Sequence, residues 1–130
     1  MKILLDTDIA SYVFWRRDAA VRRRFLTHAV GDVGVSAITA AELRYGAAIK
    51  PSEARAVERA LLALVVVPFD AAAAEVYGEI RSTLRRHGTP IGAHDMLIAA
   101  HAIALDVPLA TNNLREFRRV PGLRVENWLS

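Results

Sequence analysis

Cysteine is absent from the 130-residue chain. Disulfide frameworks, thiolate metal sites and cysteine nucleophiles are therefore excluded, and a reducing compartment is a natural setting. Lysine is almost absent too: it stands only at positions 2 and 50, so nearly all of the 17 basic residues are arginine. Long apolar runs are also missing. "LLALVVVPF" (61–69) falls far short of the ~20 residues that cross a bilayer. The apolar run after Lys2 is cut at once by Asp6, which does not read as a secretory signal. The expectation is a soluble cytoplasmic protein with no membrane partner. No repeat, linker or low-complexity tract interrupts it.

What remains is 53% apolar residues and a net charge of +3. That composition suits one folded domain over residues 1–130 with a core of its own. The arginines cluster at 16–17, 22–24, 85–86 and 118–119. Guanidinium forks match phosphate oxygens, so a nucleic-acid partner fits, and so does a set of solvated helix faces.

Short apolar segments alternate with helical ones. "KILLD" (2–6), "VGVSAI" (33–38), "LVVVPF" (64–69) and "PLAT" (108–111) read as strands, with "LRVENW" (123–128) as a fifth candidate. Residues 9–31 read as one or two helices, 39–49 as another, and Pro51 opens a further one from a favoured proline position. Asp70 is placed to cap a long helix reaching Arg86, and residues 92–105 form a helix apolar nearly all round. This pattern predicts a three-layer α/β/α fold around a four- or five-stranded, mainly parallel sheet.

Working sites in such sheets lie beyond the carboxyl ends of the strands. Asp6 follows the first strand. Ser36, Thr39 and Glu42 follow the second. Thr111, Asn112, Asn113 and Glu116 follow the fourth, and Asp95 opens the apolar helix. Each also has a structural reading. Asp8 reads as an N-cap after the first strand, Thr39-x-x-Glu42 as a capping box and Asn112-Asn113 as a turn. His28, His87, His94 and His101 read as packing or surface residues. Together, several carboxylates with no lysine beside them would repel one another. A hard divalent cation relieves that repulsion and can activate water and stabilise charge on phosphorus.

Four stretches carry a resemblance: "LLDTDI" (4–9), "VSAITAAELRYGA" (35–47), "PIGAHDMLIAAHAIAL" (90–105) and "ATNNLREFRRVPGLRVENW" (110–128). In this order and spacing the chain resembles the PIN-domain ribonucleases, specifically the VapC toxins of VapBC toxin–antitoxin modules. The resemblance implies Asp6 and Asp95 as the main metal ligands and Glu42 as a third ligand or water-orienting base. Asn113 and Glu116 would complete the catalytic group, with Thr7, Asp8 and Thr111 behind it. It implies Mg²⁺, with Mn²⁺ able to substitute, and endonucleolytic cleavage of RNA. tRNA is favoured as the substrate, including initiator tRNA in its anticodon stem-loop. A homodimer and a higher hetero-oligomer with a VapB antitoxin are further implications.

Two positions depart from the family pattern. Asp8 stands where Asn is common and adds negative charge. Asn113 is neutral where an acid is common, so the expectation is one firm metal site and a second filled only with substrate. Trp15, Arg22, Arg23 and Arg86 are candidate RNA or antitoxin contacts, with core packing the rival reading for Trp15. Three other functional classes compete. A haloacid-dehalogenase-like phosphatase shares the opening Asp-x-Asp but needs a downstream lysine and acidic pair. A two-histidine ribonuclease would survive metal removal. A PIN-like binding module would have lost its chemistry, and the three main acids argue against that.

Overall fold

The computed structural model describes residues 1–129. Five strands form one sheet: β1 (Ile3–Leu5), β2 (Val33–Ser36), β3 (Val65–Val67), β4 (Leu109–Ala110) and β5 (Val125–Glu126). Their order is β3-β2-β1-β4-β5, and every neighbouring pair is parallel. Seven α-helices accompany them: α1 (Thr7–Phe14), α2 (Ala19–Leu26), α3 (Ala37–Ile49), α4 (Ala54–Ala63), α5 (Ala71–Arg86), α6 (Ala93–Leu105) and α7 (Leu114–Phe117). Pro51–Glu53 forms a 3₁₀ turn before α4.

Side-chain alternation along the strands builds two cores. Ile3, Leu5, Val33 and Val35 point to one face, where Ile9, Val13, Val21, Leu43 and Val57 of α1–α4 cover them. Leu4 and Leu109 point to the other, against Ile80, Leu84, Ile98 and Ala99 of α5 and α6. Both faces of the central strands are buried, which explains their unbroken apolar runs.

The predicted strands are all present but shorter than expected, and after β1 and β2 the helices begin early. Asp6 is the N-cap of α1 and accepts from the Ile9 amide at 2.8 Å. Asp8, expected to be that cap, instead stands exposed in the first turn. Ser36 caps α3 by accepting from the Ile38 amide at 3.1 Å. The expected Thr39–Glu42 capping box therefore does not form: Thr39 is buried inside the helix, and Glu42 is free for another use. In both cases strand passes into helix with no loop between, so the last strand residue or the one after it is the cap. Residues 9–31 resolve into two helices, with Asp18 capping the second. Asp70 caps α5 as expected.

Trp15 is half-buried and packs with Tyr12, Phe14 and Phe25 on the first core. Tyr12, Phe14 and Trp15 thus support that core, which is the packing reading for Trp15. Trp15→Ala should lower unfolding free energy by about 2 kcal/mol, below the full cost of a buried aromatic, as read from urea denaturation.

Candidate active site

The strand order changes direction between β1 and β4. In open α/β sheets the crevice beyond the carboxyl ends at that point takes the ligand. Asp6 follows β1 and Thr111 follows β4, so both stand at its floor. The Asp6 amide donates to the Ala110 carbonyl at 3.0 Å, which fixes its backbone in the sheet. Its side chain receives the Ile9 amide and the Thr111 hydroxyl. Only 5% of Asp6 is exposed. Burial pushes its carboxyl up to about 7, the two hydrogen bonds oppose that, and the charges of Asp8 and Asp95 add to it.

Asp95 lies in the first turn of α6, half-buried. Its Oδ2 folds back over Gly92, 3.4 Å from where a Cβ would stand. Its carboxyl is raised to about 6, first by burial, then by a hydrogen bond with Glu116 and by the charges of Glu116, Glu42 and Asp8. The contact with Glu116 thus favours the neutral form of Asp95. Glu116 also accepts from Asn113 Nδ2 at 3.1 Å, and the Asn113 amide donates to Thr111 Oγ1 at 2.9 Å. Thr111, fully buried, therefore links the β4 loop to Asp6.

Glu42 reaches the same crevice from α3. Its Oε1 accepts from the Thr7 hydroxyl at 2.6 Å, and its Oε2 lies 3.1 Å from His94 Nδ1. Topology brings together Asp6, Thr7, Asp8, Glu42, Asp95, Thr111, Asn113 and Glu116, drawn from four separate stretches of chain. Trp15, Arg22 and Arg23 lie in the α1–α2 region and Arg86 at the end of α5.

Two residues escaped the sequence reading. His94 was taken as packing or surface, yet it is exposed and engages Glu42. Its place beside Asp95 in one helical turn was a signal, but its partner lies 52 residues away. His101 is packed, as expected, but it also makes a specific contact: Nδ1 lies 2.7 Å from the Ser36 hydroxyl that caps α3. Burial lowers its pKa, which keeps the ring neutral.

Among the described residues, no lysine or arginine forms an ion pair with Asp6, Asp8, Asp95 or Glu116. The donor set is all hard oxygen, facing itself without a counter-charge. No three acidic or imidazole groups among the described residues converge closely enough to enclose an ion. The all-oxygen donor set suits Mg²⁺ or Mn²⁺, which take one or two carboxylates and fill the remaining positions with water and substrate oxygens. The residues present fit such a cation, with Asp6 and Asp95 as the groups that would hold it.

Comparison with known proteins places this geometry. A model of the PIN domain matches residues 3–123. The chain is 40% identical over 131 residues to the tRNA(fMet)-specific endonuclease VapC of Shigella flexneri, covering 98% of both chains. It is 41% identical over 132 residues to ribonuclease VapC2 of Haemophilus influenzae, covering 99% of both. Among solved structures, VapBC of Salmonella typhimurium bound to DNA superposes with a TM-score of 0.91 at 38% identity, covering 98% of each chain. VapBC2 of Rickettsia felis, bound to a promoter DNA fragment, gives 0.89 at 34% identity, covering 98% of this chain and 99% of that one.

The raised carboxyls have a consequence for folding. Unfolded, Asp6 and Asp95 ionise near 3.8; folded, near 7 and 6. Between these values the folded state holds more protons, so their contribution to stability is full below pH 4 and is lost as pH rises through 6 to 7. Without divalent cation, Asp6→Asn, which keeps the helix cap, should be the more stable protein at pH 8, by about 2–4 kcal/mol. The advantage should vanish at pH 4, where further protonation affects both proteins alike. Denaturant melts at both pH values check this.

Proposed function

The chain belongs to the PIN-domain family, and on that premise we propose that it is the toxin of a type II toxin–antitoxin module. In this reading it is a divalent-cation-dependent endoribonuclease that cuts structured RNA in the cytoplasm and so halts translation. The substrate class is tRNA, with the anticodon stem-loop of initiator tRNA its first candidate. A VapB antitoxin neutralises it. The observation that carries the reading is the crevice at β1 and β4, where Asp6 and Asp95 face each other with raised pKa values and no cationic side chain.

Asp6 and Asp95 would hold the cation, Mg²⁺ by preference and Mn²⁺ in its place. When bound, it screens the carboxylates, favours deprotonation of water and draws charge from the scissile phosphate. The protein's own groups do the rest. Thr111 and the Ile9 amide fix the Asp6 carboxyl, so it cannot turn away when the crevice fills. Thr7 and His94 hold both oxygens of Glu42, which leaves Glu42 to orient a water and take its proton. Glu116 and Asn113 steady Asp95 from the opposite side. Asp8 contributes charge only. Attack by water breaks the P–O3′ bond and leaves 5′-phosphate and 3′-hydroxyl ends.

Two apolar surfaces suit the expected assembly. Leu26, Val30 and Leu62, exposed at 72%, 102% and 86%, ring a cavity of about 280 Å³ beside α2. A partner's apolar tail would cover it, which supports the α2 region as the antitoxin's seat. Ile38, Ala41, Tyr45 and Ile49 follow one face of α3, with Tyr45 68% and Ile49 67% exposed. That stripe suits a second copy of the chain.

The test is cleavage of total bacterial RNA by protein freed of partners. Discrete cuts with 5′-phosphate ends are expected in Mg²⁺ and should disappear in EDTA. Asp95→Asn should lose at least 10³-fold in rate, the scale of removing a principal electrostatic group, while Asp8→Asn stays within a few-fold. Cuts that persist in EDTA, or cyclic phosphate ends, would move the assignment to histidine chemistry.

A further inference from the structure

Arginines on this protein fall into two kinds. Arg24, Arg44 and Arg124 are tied to Glu126, Glu58 and Asp106. Around the join between α5 and α6, no arginine is tied to an acid among the described residues. Arg81 reaches only the Tyr77 hydroxyl, Arg86 only Ser82 and Thr83, and Arg119 the carbonyl of Pro90 at 3.0 Å. Arg85 is exposed on the last turn of α5. Two of these arginines line a groove of about 480 Å³, together with Leu84, Gly88, Pro90 and Met96.

The groove's position gives it meaning. Met96, in its wall, directly follows Asp95 in the first turn of α6. Arg119 clamps the far lip at Pro90, two residues before Gly92, over which Asp95 folds. The basic groove and the acidic crevice thus draw on the same first turn of α6. Arg81 and Arg85 line that groove and Arg119 holds Pro90 at its lip, so basic charge collects beside the turn that carries Asp95. Macrodipole complementarity accounts for a basic residue at a helix C-terminus. It does not account for Arg81, a turn earlier, or for Arg119, on another element.

We infer that this groove is the track for the RNA sugar–phosphate backbone on one side of the scissile bond, with Arg81, Arg85 and Arg119 as its phosphate contacts. The inference rests on the ribonuclease reading above. It assigns Arg81, Arg85 and Arg119 to substrate positioning, and it assigns them no sequence readout.

The experiment measures kcat and KM on bacterial tRNA across a salt series, for wild type, Arg81→Glu/Arg85→Glu and Arg55→Glu. Arg55 is an exposed arginine on α4, apart from the groove. The double variant should raise KM by tenfold or more at moderate salt with kcat within twofold. Its plot of log KM against log salt should be shallower by between one and two, since each lost phosphate contact removes about 0.7–0.9. Arg55→Glu should match wild type. If the charge reversal unfolds the chain, Arg81→Gln/Arg85→Gln carries the same test with a smaller KM change and the same change of slope. Wild-type KM and slope in the double variant would overturn the inference while leaving the ribonuclease reading intact. So would weakened antitoxin binding with RNA kinetics unchanged, which would give the groove to the partner protein. A wild type that cleaves nothing would overturn both.

Discussion

Everything in the crevice follows from crowding carboxylates where nothing positive stands. Asp6 bears the largest share. Its backbone holds a rung of the sheet to Ala110, its side chain caps α1, and the same side chain confronts Asp8 and Asp95 from a buried position. No neutral residue at position 6 would meet all three demands, since an alanine would lose the cap and an asparagine the charge. An asparagine would cap α1 equally well, so the buried carboxylate with its raised pKa answers to the site and not to the fold. Stability given up locally is the usual condition of a site prepared for a ligand not yet bound.

The parallel sheet makes this crowding possible. Strand order β3-β2-β1-β4-β5 sends the chain outward one way and back the other. Residues as distant as Asp6, Asp95 and Glu116 then meet at a single edge. The two cores, one per face, hold β1 rigidly between α1–α4 and α5–α6. A site spanning four stretches of chain keeps its geometry only if the central strand cannot shift.

Much of this could be read from the sequence, and the parts that could not share a cause. The parallel fold followed from short apolar strands alternating with helices, and the acids at strand ends followed from the fold. Cap assignments failed at Asp8 and at Thr39–Glu42. The sequence rules assume a loop between strand and helix, and here there is none. Once Ser36 takes the cap of α3, Glu42 is released to meet Thr7 and His94. That pairing joins residues 52 positions apart, and no local pattern announces it. Trp15 was ambiguous for a similar reason. Aromatics on an amphipathic helix look the same whether they face a core or a partner, and only packing separates the two. The arginines were visible as clusters, but which were paired and which were free depended on contacts across the fold.

The decisive measurement is anomalous diffraction from crystals of the protein grown with Mn²⁺. The unpaired-carboxylate crevice predicts a principal peak between Asp6 and Asp95, with Glu42 reaching it through water. A saturated crystal with no peak there, or with its strongest peak at another cluster of residues, would contradict the reading of this crevice as a cation site.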